Sequence, residues 1–159
     1  MKIYPKKKMV LRLVIILFIM FAAATISTIA MASSLESPGK SQSPLRRLMD
    51  AICIVESGCD HTKTGDDGNA IGPYQIWEPY WFDATEHDPS IGGSYLDCYN
   101  KDYSEKVVLA YWDRYATQSR LGHQPTDEDR SRIHNGGPNG HKKPSTAKYW
   151  TKVKNQLDG

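Results

Sequence analysis

Apolar residues recur at helical spacing in several stretches of the chain, separated by polar intervals rich in turn residues. Leu45, Leu48, Met49, Ile52 and Val55 are three or four residues apart, which predicts an amphipathic helix over Pro44 to Ser57. Ser43 suits its N-cap, Pro44 the first helical position and Gly58 the stop. Val107, Val108, Ala110, Tyr111, Trp112 and Tyr115 predict a buried helix over Tyr103 to Thr117. Thr126 opens a Thr-x-x-Asp cap pattern, so another helix is expected as far as Ile133. Ala147, Trp150, Val153 and Leu157 share one face of a final helix, Ser145 to Leu157.

The intervals carry the opposite signature. Cys59 to Gly72 is rich in Gly, Asp, Asn and Thr and reads as loop and tight turns, or a small hairpin. Aromatic-rich Pro73 to Phe82 turns into a short helix. Asp88 to Asp97, with Pro89 and Gly92-Gly93, is loop, and so is His134 to Pro144. The expected fold class is therefore α+β, mainly α: one small domain with a short hairpin or loop region between the first helix and the later ones.

The N-terminus is chemically different. Residues 1–32 contain no acid, begin with five basic residues, continue through an apolar run from Leu13 to Ala24, and end in Ala30-Met31-Ala32. That is the layout of a signal peptide cleaved after Ala32. A signal anchor is the rival reading, since Leu13 to Ala32 approaches the length of a membrane span. Ser33 to Ser43 is Ser/Pro/Gly-rich and reads as a flexible lead-in, leaving residues 44–159 as the domain. Either leader carries the domain across a membrane into a disulfide-permissive compartment.

This division changes the charge. The whole chain is formally +2, but cleavage removes five positive and no negative charges, leaving −3. Nucleic acid is excluded as a partner, because no basic face remains to neutralise phosphates. A composition of 40% hydrophobic and 24% charged residues supports a packed core. The five histidines show no metal-ligand spacing, so neither a metal nor a cofactor is expected.

Candidate chemistry begins at Glu56, in the last turn of the first helix beside Ile54 and Val55. Apolar neighbours and the negative end of a helix dipole disfavour the charged carboxylate, which suits a general acid. Asp66 and Asp67 follow in the turn Gly65-Asp-Asp-Gly68. Each of the three acids alone is equally compatible with an ordinary surface or turn role. Together they offer the carboxylate pair that glycosidic cleavage requires.

Four blocks give these residues a context: Cys53-Ile-Val-Glu56-Ser-Gly-Cys59, Gly72-Pro-Tyr-Gln-Ile76-x-Glu-Pro-Tyr-Trp81, Arg132-Ile-His134-Asn-Gly-Gly-Pro-Asn-Gly140, and Ser145-Thr-x-x-Tyr-Trp150-x-Lys-Val. In order and spacing the chain resembles the invertebrate-type lysozymes, the destabilase family, from about Leu45 to Leu157. The resemblance implies a lysozyme-like fold and hydrolysis of the β-1,4 bond between N-acetylmuramic acid and N-acetylglucosamine in bacterial peptidoglycan. It makes Glu56 the proton donor and Asp66 the second carboxylate, with Asp67 as the alternative. The segment from Gly65 to Gln75 is also similar to goose-type lysozymes and lytic transglycosylases, which depend mainly on the Glu.

The same resemblance assigns Tyr74, Gln75, Tyr80, Tyr111, His134 and Asn135 to the sugar-binding cleft and pairs Cys53 with Cys59. Cys98 is then left free, buried or open to an intermolecular bond. Trp77, Trp81, Trp112 and Trp150 are expected in the core, given their apolar neighbours. The implied protein is a secreted, extracellular monomer that acts in defence or digestion and has no stable membrane association after signal cleavage. Isopeptide cleavage and non-catalytic saccharide binding are the competing functions.

Overall fold

The computed structural model describes residues 42–159. The expected signal sequence and all but the last two residues of the lead-in lie outside the described residues. Helix α1 spans Pro44–Ser57, as its apolar spacing predicts. The Ser43 hydroxyl accepts from the Arg46 amide at its start. Gly58 ends it at φ 69°, donating back to the Cys53 and Ile54 carbonyls.

A small antiparallel sheet follows, built from β1 (Thr64–Gly65), β2 (Ala70–Ile71) and β3 (Ile76–Trp77) in that spatial order. Gly65 pairs with Ala70, and Ala70 with Trp77. Helix α2 (Glu78–His87) leads through two short 3-10 turns to α3 (Lys101–Tyr115). The single turn α4 (Gln118–Leu121), α5 (Asp127–Gly136) and α6 (Ala147–Asp158) complete the chain. Among the described residues no helix is long and apolar enough to cross a membrane.

The core lies where α1 packs on α6, α2 on α3, and α5 on both α3 and α6. Leu48, Ile52, Val107, Val108, Ile133 and Val153 are fully buried there. These are the apolar positions whose spacing marked the helices. Close backbone approach fixes the joints between elements. A Cβ on Gly140 would stand 1.8 Å from the Arg132 carbonyl oxygen, so only glycine lets the turn after α5 lie against that helix.

Several boundaries differ from the sequence expectation: α2 runs on to His87, and α3 lies two residues earlier than Tyr103 to Thr117. The Thr126 cap starts α5 as anticipated, with Thr126 and Asp129 bonded reciprocally. The helix, however, runs through His134 and Asn135 to Gly136 rather than yielding to loop after Ile133. The final helix begins at Ala147, after a 3-10 turn over Pro144–Thr146.

A charged cluster ties α1 to α3. Arg46 forks onto Glu105, with Nη1–Oε2 2.7 Å and Nη2–Oε1 2.9 Å, and also donates to Asp50. Lys101 and the Tyr74 hydroxyl donate to the same Glu105 carboxylate. Burial opposes the charge on Glu105, but donors from Arg46, Lys101 and Tyr74 outweigh it and hold the carboxyl at about 2.

Candidate active site

The last turn of α1 carries Glu56 to the edge of a cleft of about 400 Å³. Cys53, one turn earlier, is buried and bridged to Cys59, which closes the chain just beyond the helix and fixes its end. The Tyr149 hydroxyl on α6 donates to Glu56 Oε1 at 2.7 Å. His134 on α5 places Nε2 3.4 Å from the same oxygen. Burial, and then the nearby Glu56 charge, pushes the Tyr149 hydroxyl well above the usual tyrosine range, so it keeps its proton.

The second carboxylate comes from the β1–β2 turn. Asp66 and Asp67 both adopt left-handed backbone, at φ 47° and 54°, a conformation Asp tolerates better than most residues. Asn69 clamps the turn through the Asp66 carbonyl, its amide nitrogens at 2.8 and 3.1 Å. Asp66 lines the cleft together with Glu56, and its Oδ2 accepts from Trp77 Nε1 at 3.2 Å. Asp67 is not among the residues lining the cleft.

The expected sugar-contacting residues divide. Gln75, Tyr80, Tyr111, His134 and Asn135 all line the cleft. Gln75 also stitches the sheet: its side-chain amide donates to the Gly72 carbonyl at 2.8 Å and the Lys63 carbonyl at 3.2 Å. A Cβ on Gly65 would meet the Gln75 carboxamide at 2.3 Å, which explains a glycine opposite it. Tyr80 and Tyr111 stack with ring centroids 3.6 Å apart. The Tyr80 hydroxyl lies 3.2 Å from His134 Nδ1. Burial, followed by Tyr111 and Glu56, raises the Tyr80 hydroxyl well above its ordinary range.

Tyr74 does not belong to the cleft. It is 0% exposed, and its hydroxyl is spent on Glu105 at 3.0 Å and Arg46 at 3.3 Å. Its motif position is right but its side chain points into the α1–α3 junction. Trp77 corrects the sequence expectation in the other direction. It is 45% exposed and forms part of the cleft wall, not the core. The alternation of a strand supplies the reason: Ile76 faces inward, so Trp77 must face out. Trp112 is buried as expected, and Trp81 and Trp150 are half-buried against the core.

Sequence reasoning also missed Tyr149 and Asp83. Asp83 lines the cleft while accepting from the Tyr115 hydroxyl at 3.0 Å. Tyr149 sits in the Ser-Thr-x-x-Tyr block, but nothing local distinguishes it from a packing tyrosine. Cys98 is the free thiol and is buried, with burial pushing it up to about 12.

A mainly helical α+β domain, with a carboxylate at the end of its first helix facing a tyrosine-lined cleft beside a short sheet, is a lysozyme-like domain. The chain belongs to the destabilase family, whose model matches residues 46–156. It is 41% identical over 109 residues to a lysozyme from Magallana gigas, covering 66% of this chain and 74% of that protein. It is 32% identical over 113 residues to invertebrate-type lysozyme 6 of Caenorhabditis elegans, covering 67% and 82%. Among solved structures it is similar to Tapes japonica lysozyme (TM-score 0.59, 34% identity, 69% of this chain and 87% of that one). It is equally similar to inhibitor-bound lysozyme from Meretrix lusoria (TM-score 0.59, 34% identity, 69% and 88%). These relatives make the chain a hydrolase of the lysozyme family.

Proposed function

We propose that the protein is a muramidase that hydrolyses the β-1,4 bond between N-acetylmuramic acid and N-acetylglucosamine in bacterial peptidoglycan. The observation that carries this reading is that Glu56 and Asp66 line one cleft, each from a separate element. Glu56 protonates the leaving glycosidic oxygen. Asp66 attacks the anomeric carbon or supports its developing positive charge. Water completes hydrolysis, with Glu56 now accepting the proton. The scheme uses only side chains and water.

The exposed Trp77 offers a flat apolar face to pyranose rings, while Gln75 and Asn135 supply amides for acetamido and hydroxyl groups. The basic, apolar, small-residue leader supports secretion, and hence a role outside the cell in defence or digestion.

The reading is tested by digesting purified peptidoglycan and identifying the product ends by mass spectrometry. Reducing muramic ends are expected. Anhydro ends would reassign the chain to transglycosylase chemistry, and the absence of products from the wild type would overturn the reading.

A further inference from the structure

We propose that Tyr149 and His134 are positioning residues that hold Glu56 by Oε1 and so reserve Oε2 for the proton given to substrate. This deepens the muramidase reading and rests on Glu56 being its proton donor. Three side chains from three helices carry the proposal. Tyr149 on α6 donates to Oε1 at 2.7 Å, and His134 Nε2 on α5 stands 3.4 Å from that same oxygen. Tyr80 on α2 reaches the far side of the imidazole, its hydroxyl 3.2 Å from Nδ1. His134 is itself buried, with only 3% of its side chain exposed, so its ring is fixed between these partners.

The Tyr80 hydroxyl keeps its proton and can donate to Nδ1, and Nε2 is the ring nitrogen that faces Glu56. The Tyr149 hydroxyl thus donates to Oε1, and His134 Nε2 stands beside the same oxygen. Among the described residues His134 is the one basic side chain paired with Glu56, and the other acids lining the cleft are Asp66 and Asp83. No lysine or arginine lines the cleft, and the hydrogen bond to the Glu56 carboxyl comes from Tyr149.

The arrangement does chemical work as the bond breaks. The Oε2–H bond opens and its proton passes to the glycosidic oxygen. The electron pair of the C–O bond leaves on that oxygen, and the carboxyl becomes an anion. The Tyr149 donor at Oε1 then faces a charged acceptor instead of a neutral one, and charge-assisted bonds are the stronger kind. Interactions that strengthen between ground and transition state raise turnover without tightening substrate binding.

Two variants test this: Tyr149→Phe, which removes the donor at Oε1, and Tyr80→Phe, which removes the hydroxyl beside His134 Nδ1. For Tyr149→Phe we expect kcat to fall about 10-fold with KM within about 2-fold. The alkaline limb of its pH–rate profile should move up, because the charged carboxylate loses a donor that stabilises it. Tyr80→Phe should show a smaller fall with the same direction of shift. A residue that merely packs would lower activity without moving the limb, and that result would overturn the proposal. Carbon-13 NMR titration of the Glu56 carboxyl in wild type and Tyr149→Phe gives a readout that needs no turnover. An upward shift of the midpoint in the variant supports the proposal, and coincident curves overturn it. If the wild type releases nothing from peptidoglycan, the muramidase reading fails, whereas coincident titrations with an active wild type defeat only the positioning role.

Discussion

The hydroxyl of Tyr149 donates to Glu56 Oε1 at 2.7 Å across 93 residues of sequence. The last helix therefore helps set the carboxyl at the end of the first, and α1 and α6 pack directly together. Val153 on α6 is fully buried in the shared core. Val153→Ala should cost about 2 kcal/mol of stability, from lost burial plus the residual cavity. Chemical denaturation of the two proteins checks this.

Asp66 and Asp67 are adjacent and both left-handed, yet only Asp66 lines the cleft. Asn tolerates the same backbone, so Asp66→Asn and Asp67→Asn compare charge with little conformational confounding. Asp66→Asn should lower kcat on peptidoglycan by at least about 100-fold, the scale of lost transition-state electrostatics. Asp67→Asn should stay within about 2-fold of wild type, since it removes no cleft contact. Equal losses would show that the turn, rather than the Asp66 charge, is what matters.

Glu105 makes stability depend on acid. Its carboxyl is held at about 2, against an ordinary value of 4.5, because the donors from Arg46, Lys101 and Tyr74 outweigh burial. A folded-state value below the unfolded one stabilises the protein fully above about pH 4.5 and loses that contribution as pH falls toward 2. Glu105→Gln should therefore cost about 3 kcal/mol at pH 7, partly by leaving Arg46 and Lys101 to share Asp50. The difference from wild type should shrink steadily below pH 4. Urea unfolding at pH 7, 4 and 2.5 measures it, and a gap that is constant across the series would contradict this account.

Cys98 should be silent in the native protein. It is fully buried, and its thiol is pushed up to about 12, first by burial and then by Asp97. A thiol reagent at pH 8 should label no cysteine until the chain is unfolded, and then one, because Cys53 and Cys59 are bridged. Rapid native labelling would mean that the core around Cys98 opens readily.

Much of the fold was legible because its signals are local. The bounds of α1 follow from Ser43, Pro44, the apolar spacing and Gly58, all of which act within a few residues. The Thr126–Asp129 reciprocal cap likewise announced the start of α5. What failed was tertiary. The Asn-Gly-Gly run after His134 reads as loop, but packing of Gly136 against Thr146 and Gly140 against the Arg132 carbonyl accompanies a helix that continues to Gly136. Tyr74 and Trp77 exchange their expected places because motif position does not say which way a side chain points. The alternation at Ile76-Trp77 was the one available clue. Tyr149 gave none, since a tyrosine on an amphipathic helix looks the same whether its hydroxyl meets solvent or Glu56.

The central claim is that Glu56 is the proton donor in the cleft. Glu56→Gln keeps the shape and can still accept from Tyr149, but it has no acidic proton to give. Turnover of purified peptidoglycan should fall by at least about 1000-fold in this variant, with unchanged circular dichroism and a melting temperature near that of the wild type. A Glu56→Gln protein that retains more than about a tenth of wild-type turnover would contradict the account.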